Sequence, residues 1–351
     1  MRKSFSLIES TFVYMTNDAA ELQKLIDAGS EFVITTHINP DGDASGSSLA
    51  LYHVLSDMGK KVHLITPNEI SPSLQFLPGA EVCVPYNQKP DILIDALQRA
   101  DLLFCLDYNT LSRTGDAMCD ALKSFTGRKV LIDHHQQPDT GFAISFSDTS
   151  YCSTCELLFH VLSVAYPDKK WLTPAVATCL YTGILTDSGS FRFNTVQPRT
   201  HRAVAALLEA GAPHTAIHEA IFDQNRPERF RLMAIMLSHL TFPCDSVAYS
   251  WITEEEFEQS GADKDDSEGF VNMGLSIRGV KVSALFREEE GKIRISFRSK
   301  GDVDVNQYAR KYFNGGGHRN AAGGTWYGPM EEAIQQFEGT VAGLLNTGSK
   351  S

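Results

Sequence analysis

The sequence predicts an α/β protein of two domains, and two changes of pattern along the chain support that prediction. In the first half, short apolar runs alternate with amphipathic helical segments, which is typical of a doubly wound, mainly parallel sheet. After Pro243 the pattern changes to strand-like runs separated by acidic segments, which indicates a smaller α+β domain. The chain has 351 residues, of which 42% are apolar, and can therefore bury a core in each domain.

The elements of the first domain follow from the periodicity of its apolar residues and from helix start signals. A first helix, within residues 1–30, carries Leu22, Leu25 and Ile26 as its apolar stripe. The segments after it are strand 32–37, helix 44–58, strand 61–66, helix 91–99, strand 102–107, helix 116–124, strand 129–133 and strand 143–146. Two further helices begin near Ser153, at a Ser-Thr-Cys-Glu capping box, and near Pro174. We therefore expect a first domain over 1–197, a helical connector over 198–243 and a second domain over 244–345.

The composition of the chain limits the classes of ligand that it can bind and indicates its cellular compartment. A net charge of −12 argues against an extended basic surface for long duplex nucleic acid and leaves short anionic substrates. The longest charge-free apolar segment, residues 174–186, is too short to span a bilayer, and no export signal is visible. We therefore expect a cytoplasmic protein without a membrane partner. Cys152 and Cys155 have CxxC spacing but no second pair at zinc-ribbon distance, which favours structural thiols.

Acidic and imidazole side chains follow three of the predicted parallel strands. These residues are His37, Asp41 and Asp43 after the first strand, Asp107 at the end of strand 102–107, and Asp133, His134 and His135 at the end of strand 129–133. The carboxyl ends of parallel strands meet at one edge of a sheet, so the side chains converge there. So many carboxylates together are costly unless a cation neutralises them. Taken alone, His37 to Asp43 also fits a polar turn; the coincidence of three strand ends, with Asp187 after an apolar helix, favours a metal site.

In order and spacing, these four motifs resemble those of the DHH phosphoesterase superfamily. The loop Gly315-Gly316-Gly317-His318 is similar to the glycine-rich loop of the DHHA1 domain found in one branch of it. The arrangement most resembles the branch of oligoribonucleases (nanoRNases) and 3′-phosphoadenosine 5′-phosphate (pAp) phosphatases. That resemblance implies a five-stranded parallel sheet in the catalytic domain, and a flexible connector that lets the DHHA1 domain close over the substrate.

The resemblance also implies a set of metal ligands. One ion takes His37, Asp41 and Asp107, and the other takes Asp43, Asp107, His134 and Asp187, so that Asp107 bridges. Mixed carboxylate and imidazole ligands without thiolates suit two Mn²⁺ ions, with Mg²⁺ or Co²⁺ as substitutes. Such a pair activates water as the nucleophile. A covalent serine mechanism is not expected, because no Ser stands in a nucleophile elbow.

Two residues of the third motif receive catalytic roles. Asp133 is expected to orient a ligand imidazole from behind the metal ligands. His135 is expected to face the substrate phosphate, where it stabilises charge or protonates the leaving oxygen. The alternative for both is a packed, hydrogen-bonded pair without a role in the reaction.

Substrate contacts are expected from both domains. Arg113 and Arg298 resemble arginines of the family that bind phosphate, with a surface ion pair as the alternative for each. Residues Gly315 to Gly317 offer backbone N–H groups that could form a nest for a 5′ phosphate, with His318 beside it; a plain glycine turn is the alternative.

The function expected from these features is a Mn²⁺-dependent phosphoesterase that trims short single-stranded RNA to mononucleotides and also dephosphorylates pAp. Alternatives are hydrolysis of linear dinucleotides (pApA or pGpG), a RecJ-like single-strand exonuclease, a family II pyrophosphatase and a non-catalytic nucleotide-binding protein. A dinucleotide-binding dehydrogenase is disfavoured because no G-x-G-x-x-G follows the first strand. The oligomeric state stays open, with a homodimer as one alternative.

Overall fold

The computed structural model describes residues 16–346, apart from the side chains of His318 and Asn346, as two compact units that divide between Gln224 and Asn225. The division lies within the predicted connector. The part of the predicted first helix that precedes residue 16 lies outside the described residues. Within residues 16–346, no helix is both long enough and apolar enough to cross a membrane.

The first unit is built on a parallel sheet of six strands, which confirms the predicted fold class. In chain order the strands are β1 (Glu31–Thr35), β2 (Lys61–Thr66), β3 (Val84–Pro85), β4 (Leu102–Leu106), β5 (Arg128–Asp133) and β6 (Ile144–Ser147). Their order across the sheet is β3-β2-β1-β4-β5-β6, and all neighbours pair in parallel. The sixth strand, beyond the five that the resemblance implied, is the two-residue β3 at one edge. The order reverses between β1 and β4, which is where open α/β sheets bind ligands.

In the described part of the first unit, eight α-helices pack around the sheet. They are α1 (16–28), α2 (Gly42–Asp57), α3 (Pro90–Leu97), α4 (Asp116–Ser124), α5 (Thr154–Ala165), α6 (Pro174–Asp187), α7 (Pro198–Glu209) and α8 (His214–Phe222). In β1, Phe32 and Ile34 point into the core formed with α1, α2, α5 and α6, whereas Val33 points into the core formed with α3 and α4. Burial on both faces explains why this strand is continuously apolar.

The second unit has a mixed sheet of six strands, as predicted for an α+β domain. Its strands are β7 (Thr241–Cys244), β8 (Val247–Ile252), β9 (Val282–Glu289), β10 (Lys292–Ser299), β11 (Gly316–His318) and β12 (Ala321–Trp326), in the order β11-β12-β10-β9-β8-β7. Its helices are α9 (Pro227–Ser238), α10 (Glu254–Ser260), α11 (Phe270–Leu275), α12 (Val305–Tyr312) and α13 (Met330–Asn346). Phe286, Phe297, Phe313 and Phe337 pack together in its core.

Candidate active site

The acidic and imidazole residues predicted from the sequence meet at the carboxyl edge of the parallel sheet. His37 and Asp107 follow β1 and β4, the strands on either side of the point where the strand order reverses. Helix α2 begins two residues earlier than predicted because Asp41 is its N-cap: its Oδ1 accepts the N–H groups of Asp43 and Ala44, each over 3.0 Å. The first acidic motif is therefore part of a helix start, which fixes Asp41 and Asp43 relative to each other.

Asp107 lies between two groups of side chains. Its Oδ2 is 3.4 Å from Nε2 of His37, and its Oδ1 is 3.7 Å from Nε2 of His134. Among the described residues, possible ligand atoms within 4.8 Å of one another occur in three groups, which are His37 with Asp41 and Asp107, Asp43 with His134 and Asp187, and Asp107 with His134 and His135. The buried Asp107 has φ of 63°, a backbone conformation that few non-glycine residues adopt. Its two oxygens thus face different groups.

The imidazoles of His37 and His134 are oriented in the same way. Nδ1 of His37 donates to the carbonyl of Ile38 over 2.8 Å, and Nδ1 of His134 donates to the carbonyl of Tyr151 over 3.4 Å. A carbonyl oxygen can only accept, so in the neutral ring the proton belongs on Nδ1 and the lone pair on Nε2 faces the carboxylates. Both rings therefore present the atom that a metal ion would bind.

The N-terminus of α5 holds the two buried carboxylates. Oδ2 of Asp43 accepts the backbone N–H of Thr154 over 2.6 Å, and Oδ1 accepts that of Cys155 over 2.9 Å. The hydroxyl of Thr154 donates to Oδ1 of Asp107 over 2.9 Å. Thr154 was not predicted as a site residue. The available signal was the capping box, since the first N–H groups of a helix have no partner within it and attract carboxylates.

Charge in the site is balanced by protons when no cation is bound. Burial, followed by the nearby charge of Asp107, raises the pKa of Asp43. Burial also raises the pKa of Asp187 to about 6, although the neighbouring His134 opposes the change. Burial lowers the pKa of His37, but hydrogen bonds to Asp107 and Asp41 outweigh it and raise the pKa to about 10. A divalent cation can replace these protons, and the carboxylate and imidazole donors suit one.

Asp133 holds His135 rather than the imidazole of His134. Oδ1 of the fully buried Asp133 is 2.7 Å from Nδ1 of His135, and Oδ2 accepts the backbone N–H of His135 over 3.1 Å. The expected contact between Asp133 and a ligand imidazole is thus not the one observed. The side chain of His135 is 35% exposed. Burial lowers its pKa, but the hydrogen bond to Asp133 and the negative charges of Asp107 and Asp133 together outweigh burial and raise it.

Arg113 lies beside the same edge, in a 3₁₀ turn that covers Leu111–Thr114. Its guanidinium donates to the carbonyl of Asp107 over 3.4 Å, and its own carbonyl accepts the N–H of Ile38 over 2.8 Å. The turn therefore joins the loop after β1 to the end of β4, and it brings a cation next to the acidic cluster.

In the second unit, Arg298, Gly315 and Gly316 line a cavity of about 540 Å³, together with Arg294 and Asn314. Arg298 is half-buried, and burial lowers the pKa of its guanidinium. Its NH1 donates to the carbonyl of Phe297 over 3.0 Å. The guanidinium of Arg298 thus lines the cavity as a positive charge that is partly shielded from water, and such a charge favours an anionic ligand.

Two of the three N–H groups of the predicted nest, Gly315 to Gly317, have hydrogen-bond partners within the protein. Gly315 donates to the carbonyl of Ala309 over 3.2 Å, and Gly317 donates to Oδ1 of Asn306 over 2.9 Å. A side chain at Gly315 would overlap the carbonyl of Gly323, so glycine is required there for close packing. Gly317 is absent from the lining of the cavity described above, and His318 belongs to β11.

The fold and the site define a phosphoesterase of the DHH family, and this chain belongs to it. The family description "DHH family, N-terminal domain" matches residues 31–184, and "DHHA1 domain" matches residues 245–346. Both parts of the resemblance seen in the sequence are thereby confirmed.

Two of the similar proteins are described as bifunctional enzymes. The bifunctional oligoribonuclease and PAP phosphatase NrnA of Thermus thermophilus is 31% identical over 318 residues, which cover 90% of each chain. The protein with the same description from Bacillus subtilis is 25% identical over 88% of this chain and 93% of its own. Among solved structures, an exopolyphosphatase-related protein from Bacteroides fragilis superimposes with a TM-score of 0.87 at 35% identity, over 95% of this chain and 98% of that one.

Proposed function

We propose that this chain is a two-metal phosphoesterase that hydrolyses short RNA oligonucleotides to mononucleotides and converts pAp to AMP and phosphate. The observation that carries the proposal is the position of Asp107, whose two carboxylate oxygens face His37 on one side and His134 on the other. The two activities are those for which the NrnA relatives of Thermus thermophilus and Bacillus subtilis are named.

The ligands proposed for one ion are His37, Asp41 and Asp107, and those proposed for the other are Asp43, Asp107, His134 and Asp187. Mn²⁺ fits this mixture of oxygen and imidazole donors, and Mg²⁺ or Co²⁺ would be substitutes. The thiol of Cys155 donates to the backbone carbonyl of Asp43 over 3.6 Å and belongs to none of the three groups of candidate ligands found among the described residues. When bound, the ions would supply a hydroxide nucleophile and offset the charge of the phosphoryl oxygens.

The remaining residues of the first unit act on the phosphate and the leaving group. His135 is held by Asp133, and the raised pKa of its ring favours the protonated form, which can donate to the leaving oxygen. Arg113, next to Asp107, orients a non-bridging phosphate oxygen. Asp133 touches His135 and therefore acts through it.

In the second unit, the proposed substrate contacts lie at the cavity that Arg298 lines. Arg298 would pair with a phosphate, and the cavity of about 540 Å³ that it lines has the size of a small-ligand site. Gly316, which lines the same cavity, allows a ligand to approach the backbone closely, and we keep Gly315, Gly317 and His318 as residues that shape this loop. A cavity of this size favours short substrates over long strands.

A substrate panel tests the proposal. The Mn²⁺-loaded protein is offered pAp, di- to pentaribonucleotides, pApA, pGpG, a long single strand and pyrophosphate. We expect turnover of the short oligoribonucleotides and of pAp, abolished by Asp107→Asn and unchanged by Asp168→Asn, because Asp168 is a surface residue paired with Lys170. Turnover of pyrophosphate alone, or of nothing, would overturn the proposal. A strict preference for pApA or pGpG would favour the linear dinucleotide alternative, and degradation of the long strand would favour a RecJ-like enzyme.

A further inference from the structure

The segment 150–156, which leads into α5, contacts only part of the proposed metal ligands. Its backbone N–H groups hold Asp43, the hydroxyl of Thr154 holds Asp107, and the carbonyl of Tyr151 accepts from His134. Among the contacts that the structure describes for this segment, none reaches His37 or Asp41. Asp107 belongs to both proposed ion sites, but Thr154 binds its Oδ1, the oxygen that faces His134. The segment therefore contacts the ion site of Asp43 and His134 directly, and it reaches the other site only through this shared carboxylate.

A buried carboxylate fixes this segment to the first turn of α7. Glu156 is fully buried, and its Oε2 accepts the N–H of Cys152 over 2.9 Å. Its Oε1 accepts the hydroxyl of Thr200 over 2.8 Å and lies 3.5 Å from Nε of Arg199. Glu156 thus joins the start of α5 to two consecutive residues of α7, and the ion pair compensates a charge that is out of contact with water.

Arg199 also contacts the beginning of this segment, at Ser150 and Tyr151. Its guanidinium lies over the ring of Tyr151, 4.0 Å from the centroid, and one of its nitrogens donates to the carbonyl and, over 3.0 Å, to the hydroxyl of Ser150. Arg199 therefore holds the backbone immediately before Tyr151, the residue whose carbonyl orients His134. A planar, stacked cation with several donors makes these contacts together, and a lysine cannot.

We propose that Arg199 is a positioning residue for the ion site formed by Asp43, His134 and Asp187. It acts through Tyr151 on His134, and through Glu156 and the start of α5 on Asp43. The inference rests on the proposed metal ligands, since it concerns how two of them are held. Loss of a partner that orients a ligand typically weakens metal binding about 10- to 100-fold, and here the effect is restricted to one of two sites.

The test is a Mn²⁺ titration of the full chain, followed by electron paramagnetic resonance, for Arg199→Met and for the control Arg202→Met. Arg202 is exposed on the same helix, so its substitution removes an equal charge without touching the segment. The unsubstituted protein and Arg202→Met are expected to bind two ions with unchanged affinities. Arg199→Met is expected to keep one affinity and to lose at least about tenfold in the other. Thr200→Ser, which keeps the hydroxyl that Glu156 needs, should retain both.

Circular dichroism of each metal-free variant shows whether it is folded. If Arg199→Met is not folded, Glu156→Gln takes its place in the same titration. Equal weakening of both sites, or no change in either, would overturn the inference while leaving the proposed function in place. Failure of the unsubstituted protein to bind any Mn²⁺ would overturn the proposed function, and the inference with it.

Discussion

The hydroxyl of Thr154 donates a hydrogen bond to Oδ1 of Asp107 over 2.9 Å. Asp107 is buried, so this oxygen depends on protein donors when no metal is bound. We expect Thr154→Val to lower the free energy of unfolding of the metal-free protein by about 1–3 kcal/mol, the usual cost of removing a donor from a charged, buried acceptor. Thr154→Ser, which keeps the hydroxyl, should cost less. Urea unfolding in the presence of a chelator measures both, and equal values for the two variants would contradict the expectation.

Metal binding should release protons. In the metal-free protein the pKa of His37 is about 10 and that of Asp187 is about 6, so His37 is protonated near neutral pH and must lose that proton to bind an ion. The affinity for Mn²⁺ should therefore rise with pH up to about 10, and fall most steeply as pH drops below about 6. Calorimetric titration in buffers of different ionisation enthalpy measures the protons released.

The control for that experiment is His37→Gln, which removes the titrating ring. It should release fewer protons per ion than the unsubstituted protein. A heat of binding that does not depend on the buffer would show that the site is already deprotonated, and it would remove this explanation of the pH dependence.

The edge at which the site would form was predictable from the sequence because it depends on local rules. His37, Asp41, Asp107 and Asp133 stand at or directly after strand ends, and parallel strands bring those ends together whatever lies between them in the chain. The start of α2 at Gly42, two residues before the predicted position, and the order of the strands across the sheet were not predicted.

The hydrogen-bond partners were not predictable, because a sequence pattern does not say which donor meets which acceptor. Thr154 reaches Asp43 and Asp107 across a large separation in the chain. Asp133 binds the N–H of His135, two residues on, and that turn brings the His135 ring onto the same carboxylate. In the glycine-rich loop the composition was evident, but the use of Gly317 N–H by Asn306 was not.

Gly183 allows α6 to pack closely against the site. A Cβ there would overlap Sγ of Cys155 and lie 2.8 Å from Oδ1 of Asp43. We expect Gly183→Ala to destabilise the protein by about 1–3 kcal/mol, as overpacked cores do, and to weaken Mn²⁺ binding because Asp43 is displaced. Gly339→Ala is the control: Gly339 lies within α13 with nothing within 4 Å of a new Cβ, so the change should stabilise by about 0.5–1 kcal/mol. Unfolding curves should show a lower stability for Gly183→Ala and a higher one for Gly339→Ala. Metal titrations should show weaker Mn²⁺ binding for Gly183→Ala alone.

Glu31, at the start of β1, should stabilise the first unit in a pH-dependent way. Its Oε1 lies 2.8 Å from Nε2 of His63, 3.1 Å from Nζ of Lys61 and 3.1 Å from Nε of Arg99. Burial raises the pKa of Glu31, but these hydrogen bonds together outweigh it and lower the pKa from 4.5 to about 2. A lowered pKa gives stability that is complete above pH 4.5 and is lost as pH falls towards 2.

Glu31→Gln should therefore be less stable than the unsubstituted protein at neutral pH and nearly equal to it near pH 2. The side chains of Lys61 and Arg99 are 58% and 50% exposed, so solvent screening limits the difference at neutral pH to about 1 kcal/mol. Hydrogen exchange of the β1 and β2 amides in the metal-free protein reports on this unit separately. Glu219→Gln, an exposed acid on α8, should leave the pH dependence unchanged. A difference between Glu31→Gln and the unsubstituted protein that persists undiminished at the acid end would mean that the contribution comes from packing rather than from charge.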